Sequence, residues 1–334
     1  LNSSISVNNI SYKEGYNEKK LIFVETSGSP KEIGFEYGKE LSDLIKEHCK
    51  NRLSVVYRRF ERNVIEKGRR RMLEVMERKF PYIVEEMRGI AKGAEVKFGE
   101  YALAVLSGGF DVFSEDDGCS DIIFKKGKDG PLLGKTLDGT KPVTNTGIVR
   151  LIKPDRGNVV LCLTRIDGIS TETGLNERGL AVGESSIHFF TTNPRGVIRS
   201  LLLRPLLQEC SGVEEGVQFL ADNPTIKSGF NYSLVDEDGN GVIFERAPIE
   251  CYVRRTKSNV IFATNHTVTP CMRRLERSRG VEGDRNSDAR FENLKKITSE
   301  DGFEMSLESM KRILRNHNKP GGICQHNDCL LYTS

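Results

Sequence analysis

The chain has 334 residues, 37% of them apolar, enough to bury a full core as one large domain or as a domain with an appendage. Its 50 lysines and arginines are interspersed with 47 acids, so the net charge of +3 gives little reason to expect nucleic acid. The 8 cysteines lack the short spacings of a disulfide miniprotein, and runs such as 101–106 are far too short to span a bilayer.

Positions 1–20 carry no basic-then-apolar leader pattern, so the expectation is a soluble, cytoplasmic protein with no membrane partner. From 31 to 50, Ile33, Tyr37, Leu41, Leu44 and Ile45 recur at helical spacing; Met72, Val75, Met76, Phe80, Ile83, Val84, Met87 and Ile90 continue it. Pro81 starts a new helix or kinks the old one, and Gly93 is a stop. The basic run Lys67-Gly68-Arg69-Arg70-Arg71 reads as a solvated helix face, and a short helix covers 98–106.

After Cys119 the texture changes to short β-rich runs at 121–124, 131–137, 147–152, 159–166 and 180–187. Helical patterning returns at 198–209 and 213–221. Strands resume at 231–236, 241–245, 251–254 and 260–263, the first two joined by the turn Asp238-Gly239-Asn240-Gly241. Helices at 288–297 and 307–315 close the pattern, and 329–334 read as a non-native tail. Strands, helices, strands, helices imply an α+β fold with sheets sandwiched by helices.

The junction Asp117-Gly118-Cys119-Ser120 carries the chemistry. A cysteine after glycine at a strand start can attack its own preceding carbonyl, because glycine admits backbone conformations a Cβ forbids. Cleavage between Gly118 and Cys119 makes the cysteine a new N-terminus. Its α-amine, with an ordinary pKa of about 7.7–8.0, then serves as base to its own thiol.

This junction, with Gly134-Lys135-Thr136-Leu137-Asp138 after it, resembles the processing site of the acyl-coenzyme A:6-aminopenicillanic acid acyltransferase family. Those proteins are autoproteolytic N-terminal-nucleophile hydrolases, distantly related to choloylglycine hydrolases. Further motifs follow in the family's order: Gly174-Leu175-Asn176-Glu177-Arg178-Gly179-Leu180, Asn231-Tyr232-Ser233-Leu234-Val235-Asp236, Thr264-Asn265-His266, Ser287-Asp288-Ala289-Arg290 and Gly322-Ile323-Cys324-Gln325-His326. Gly34-Phe35-Glu36-Tyr37-Gly38 fits the family's N-terminal segment.

The resemblance implies an αββα sandwich with a helical N-terminal segment. Residues 1–118 are released by autoproteolysis but retained, 119–328 form the catalytic segment, and the two pieces stay paired as a heterodimer. It implies a cysteine acyltransferase or amidohydrolase that passes an acyl group from an amide or thioester to water or an amine. Coenzyme A thioesters are candidate donors, and no metal or prosthetic cofactor is required.

Asp138 lies on the strand after that of Cys119, where its carboxylate can orient the new amine, although Asp138-Gly139 is also a common hairpin pair. Asn265 ends an apolar strand and coincides with the family's oxyanion-hole asparagine. Ser287 and Arg290 fall at i, i+3 spacing and by resemblance serve the site or its maturation. Ser185 and Ser186 line the pocket where relatives often place asparagine. Two other readings stay open: an unprocessed Cys-His hydrolase using His266, and an inactive homologue that only binds ligand. His317, Cys324, His326 and Cys329 match no standard zinc spacing, so no metal site is expected.

Overall fold

The computed structural model describes residues 6–14, 17–110, 118–140, 146–318, 320–325 and 331–333, with side chains from residue 21 to 325 except 111–117, 138–146 and 319. In chain order the elements are β1 (Ser6–Glu14), β2 (Asn17–Gly28), α1 (Pro30–Glu40), α2 (Ser42–Arg59), α3 (Arg62–Lys79), α4 (Pro81–Gly93) and α5 (Phe98–Leu106). Next come β3 (Gly118–Phe124), β4 (Leu132–Thr140), β5 (Thr146–Pro154), β6 (Val160–Thr164), β7 (Thr171–Asn176), β8 (Ala181–Thr192), α6 (Leu203–Glu209) and α7 (Val213–Asp222). The rest are β9 (Lys227–Val235), β10 (Gly241–Arg246), β11 (Cys251–Arg254), β12 (Val260–Ala263), α8 (Pro270–Arg273), α9 (Val281–Thr298), α10 (Leu307–Leu314) and β13 (Leu331–Thr333).

Two compact units emerge: the first takes 1–113, 145–177 and 195–209, the second the remainder. In the first unit, β1, β2, β5, β6 and β7 are neighbours in one sheet, β2 running parallel to β5. Helices α1 and α6 contact this sheet. The expected helix over 31–50 is divided at Leu41 into α1 and α2. Ser29 caps α1 reciprocally with Glu32, and Pro30 occupies its first turn.

The glycines of the Gly34–Gly38 motif are explained by packing. A Cβ at Gly34 would sit 2.1 Å from the Glu86 carbonyl oxygen of α4, and one at Gly38 would sit 2.2 Å from that of Ile90. Gly89 and Gly93 face α1 in the same way, so the two helices approach backbone to backbone. Pro81 begins α4 and Gly93 is its last residue, as the sequence reading has it.

The second unit holds the αββα layers. Strands β8, β9, β10 and β11 form one sheet face, and β12, β3, β4 and β13 form the other sheet. Between them lie Ile123, Val235, Ile243, Ile261 and Ala263. Helix α7 contacts β9 and β10 on the first sheet. The second sheet presents Ile122 and Phe124 to Leu294 of α9 and to Met310 and Ile313 of α10. This is the expected α+β sandwich.

Alternation along β3 then assigns faces. Cys119 and Asp121 share the inter-sheet face with Ile123, while Ser120 shares the helix-facing side with Ile122.

Candidate active site

Strand β3 is buried along its whole length, and Cys119 is only 3% exposed. It is held from both edges: Cys119 pairs with Leu137 of β4, and Asp121 pairs with Ala263 of β12. The same register sets Asp138 opposite Gly118. The Asp138 side chain lies outside the described residues.

Just past β12 the backbone bends at Thr264-Asn265-His266, and this bend delivers Asn265 to Cys119. The Cys119 backbone N–H donates to Asn265 Oδ1 at 2.7 Å, and Arg290 Nη2 donates to the same oxygen at 2.7 Å. Two donors converging on one atom identify it as the amide oxygen. Asn265 Nδ2 donates to the Ser186 carbonyl at 3.1 Å and lies 3.3 Å from Ser186 Oγ. Asn265 therefore meets Cys119 first as an acceptor, while the expected oxyanion donor, Nδ2, is engaged by Ser186.

Arg290 is 1% exposed and reaches the site from α9. Its Nη1 donates to the Cys119 carbonyl and, at 2.8 Å, to Ser120 Oγ, while Nε donates to Asn286 Oδ1 at 2.8 Å. Ser287, one helical turn earlier, is equally buried and faces the bend instead: its Oγ lies 2.8 Å from His266 Nδ1 and donates to Thr264 Oγ1 at 3.0 Å. The i, i+3 reading thus places both side chains at the site in different roles.

His266 is committed to that support. Its Nδ1 also faces Thr264 Oγ1 at 3.1 Å and Asp288 at 3.5 Å. Burial, reinforced by nearby Arg273, pushes its pKa down to about 4, so the ring is neutral near pH 7.

On the inter-sheet face, sequence reasoning gave no role to a buried ion pair. Asp121 Oδ1 lies 3.6 Å from Lys135 Nζ of β4, and Ser185 Oγ donates to Asp121 Oδ2 at 2.8 Å. Lys135 also donates to the Glu184 carbonyl. Burial raises the Asp121 pKa, opposed by Lys135 and the hydroxyl donors. The available signal was period-two placement: an acid two residues after the cysteine and a lysine facing it across the ladder. Ser185 and Ser186 are both buried and bind site residues, Asp121 and Asn265 respectively.

A cavity of about 370 Å³ is lined by residues including Arg254, Val260, Phe262 and Phe291. Val260 and Phe262 pack toward the helices, whereas Ile261, also in the lining, packs between the sheets. Among the described residues, no group of three or more His, Cys, Asp or Glu is arranged to hold a metal ion, and no helix is long and apolar enough to cross a membrane.

The family model described as AAT, acyl-coenzyme A:6-aminopenicillanic acid acyl-transferase, matches residues 125–325. The chain belongs to this family. The match begins after Cys119, so the case for that residue rests on the geometry and on the motif around it. The acyl-coenzyme A:6-aminopenicillanic-acid-acyltransferase 40 kDa form of Emericella nidulans is 24% identical over 250 residues, 74% of this chain and 69% of the relative.

Two solved structures show weaker likeness. An N-acylethanolamine-hydrolyzing acid amidase ortholog from Caenorhabditis elegans has 16% identity and a TM-score of 0.45, covering 64% of this chain and 89% of that one. A variant of conjugated bile acid hydrolase from Clostridium perfringens has 14% identity and a TM-score of 0.26, covering 58% of this chain and 57% of that one. Likeness at these scores adds nothing to the assignment. Family membership places the chain among acyltransferases.

Proposed function

We propose that this protein is a cysteine acyltransferase or amidohydrolase activated by cutting itself between Gly118 and Cys119. The observation that carries the reading is the 2.7 Å contact from the Cys119 backbone nitrogen to Asn265 Oδ1. Asn265 grips the one atom that changes from amide nitrogen to amine on cleavage. A serine- or histidine-assisted thiol needs no partner there.

In the maturation step Cys119 Sγ attacks the Gly118 carbonyl carbon. The C–N bond breaks, its nitrogen takes up the proton released by the thiol, and a Gly118–S thioester remains. Water hydrolyses that ester, freeing the Gly118 carboxylate and the thiol. The 1–118 and 119–328 pieces remain associated.

During turnover the α-amine accepts the thiol proton, held by Asn265 Oδ1 and by Asp138, which is assigned from its register beside Gly118 and from the family resemblance. The thiolate attacks an amide or thioester carbonyl. One N–H of Asn265 Nδ2, now resting against Ser186 Oγ at 3.3 Å, is the donor for the oxyanion. The acyl-Cys119 thioester passes to water or an amine. Arg290, bound to the Cys119 carbonyl, fixes the reacting residue and places positive charge beside it. Coenzyme A thioesters fit as donors, in line with the name of the fungal relative.

The test is capture of the intermediate. The purified protein is mixed with a panel of amide and acyl-thioester probes, quenched in acid and mapped by mass. The reading predicts an acyl adduct on a peptide whose free N-terminus is Cys119, discharged by hydroxylamine to a hydroxamate. An adduct on an internal Cys119 in an uncut chain, lost on His266→Ala, supports the histidine-assisted hydrolase instead. Saturable probe binding with no adduct supports an inactive homologue.

A further inference from the structure

The Asn265 bend belongs to no helix or strand, so no backbone ladder fixes the residue on which the site turns. Its position comes from side chains. Asn231, fully buried on β9, places one N–H on the Thr264 carbonyl at 2.9 Å and the other on the His266 carbonyl at 2.8 Å. These two carbonyls bracket Asn265. The first belongs to the peptide plane entering Asn265, the second to the plane leaving His266, so one rigid amide sets the orientation of the chain on both sides.

We infer that Asn231 is a positioning residue for Asn265: it aims Oδ1 at the Cys119 nitrogen and Nδ2 at the incoming carbonyl oxygen. The inference rests on the proposed function above. Other groups restrain the same segment from outside the bracket. Thr264 Oγ1 donates to the Ser287 carbonyl at 3.1 Å, Thr267 binds Glu276, and Glu245, the cross-strand neighbour of Asn231, accepts from Val268 N at 3.0 Å. None of these acts on both peptide planes. Without the Asn231 donors, one buried and one half-buried carbonyl are left to turn toward other partners. Asn265 turns with them, and displacement by about 1 Å costs on the order of 10²-fold in a positioned reaction.

A double-mutant cycle tests this without knowledge of the substrate. Asn231→Leu, of similar volume but without donors, and Asn231→Ser, which keeps one donor, are made with native Asn265 and with Asn265→Ala. The readout is the rate of Cys119 alkylation by iodoacetamide across pH, followed on the Cys119 peptide. With native Asn265 the leucine variant is expected to slow alkylation about 10-fold or more and to displace the pH profile, with the serine variant in between. With Asn265→Ala both changes shrink to about 2-fold or less, because the residue being positioned is gone.

Equal slowing in both backgrounds, or none with native Asn265, overturns the inference. If the leucine variant does not fold, the serine variant carries the same cycle. Intact mass of the unmutated protein is recorded alongside: an uncut chain sinks the self-cleavage reading by itself, whereas the cycle decides the role of Asn231 whichever mass is found.

Discussion

Buried arginines, one set in the first unit and one residue in the second, show two different uses of the same charge. In the first unit Arg150 donates to Glu86 Oε1 at 2.8 Å and lies 4.2 Å from the Tyr37 ring centre, while Arg204 lies 3.8 Å from the other Glu86 oxygen. A carboxylate sits between two cations, and the pairs tie α4 to β5 and to α6. In the second unit Arg290 directs its donors to neutral oxygens: the Cys119 carbonyl, Ser120 Oγ, Asn265 Oδ1 and Asn286 Oδ1. These four acceptors are neutral, so the hydrogen bonds that orient the guanidinium do not themselves cancel its charge. Burial is common to both; what differs is the acceptor, a carboxylate in one case and neutral oxygens in the other.

Four substitutions and one titration break or sharpen that contrast. Cys119→Ala has the largest effect, abolishing both the cut at Gly118 and the acyl adduct, as mass mapping will record. Glu86→Gln leaves two buried guanidinium groups uncompensated and is expected to cost about 3–5 kcal/mol of stability in urea titration. Its activity per folded molecule should match the parent protein. Arg290→Met reverses the balance: activity falls about 10²–10³-fold, in the range for removal of one preorganised donor, while the urea midpoint moves less than in Glu86→Gln.

The titration involves both units. Burial pushes the pKa of His48 in the first unit and His266 in the second down to about 4, from an ordinary 6.5. Between those values the unfolded chain holds more protons than the folded one. Stability is therefore complete above about pH 6.5 and drains away as pH falls toward 4, by about 3 kcal/mol for His266. Urea midpoints at pH 7 and pH 4.5 should converge for His266→Asn relative to the parent. The smallest effect belongs to Ser185→Ala, which removes one donor from Asp121 and should cost about 1 kcal/mol, read from the same melts.

Much of this was legible in the sequence because it is local. Pro81 as a helix start, the Asp238-Gly239-Asn240-Gly241 turn joining β9 to β10, and Cys119 at the head of an apolar strand are all short-range signals. Strand β2 gives a fainter signal: Ile22, Val24 and Thr26 alternate inward, but the alternation is short and follows a polar stretch. The α1/α2 break at Leu41 has no proline or glycine to announce it.

The site divides along the same line. Cys119, Asn265 and Arg290 were readable as residue types within motifs, and the fold brings all three into contact. What the sequence could not reveal was which atom of Asn265 faces the cysteine, because that depends on Arg290 approaching from a helix far along the chain. The Asp121–Lys135 pairing needs the β3/β4 register, and the hold of Asn231 on the bend needs two sheets stacked face to face. Contacts of that kind are written in tertiary geometry.

Intact-mass measurement of the purified protein beside Cys119→Ala tests the central claim most directly. The account predicts two polypeptides that co-purify, the second beginning at Cys119, and a single full-length species in the variant. One unbroken, catalytically active chain in the native protein would contradict it.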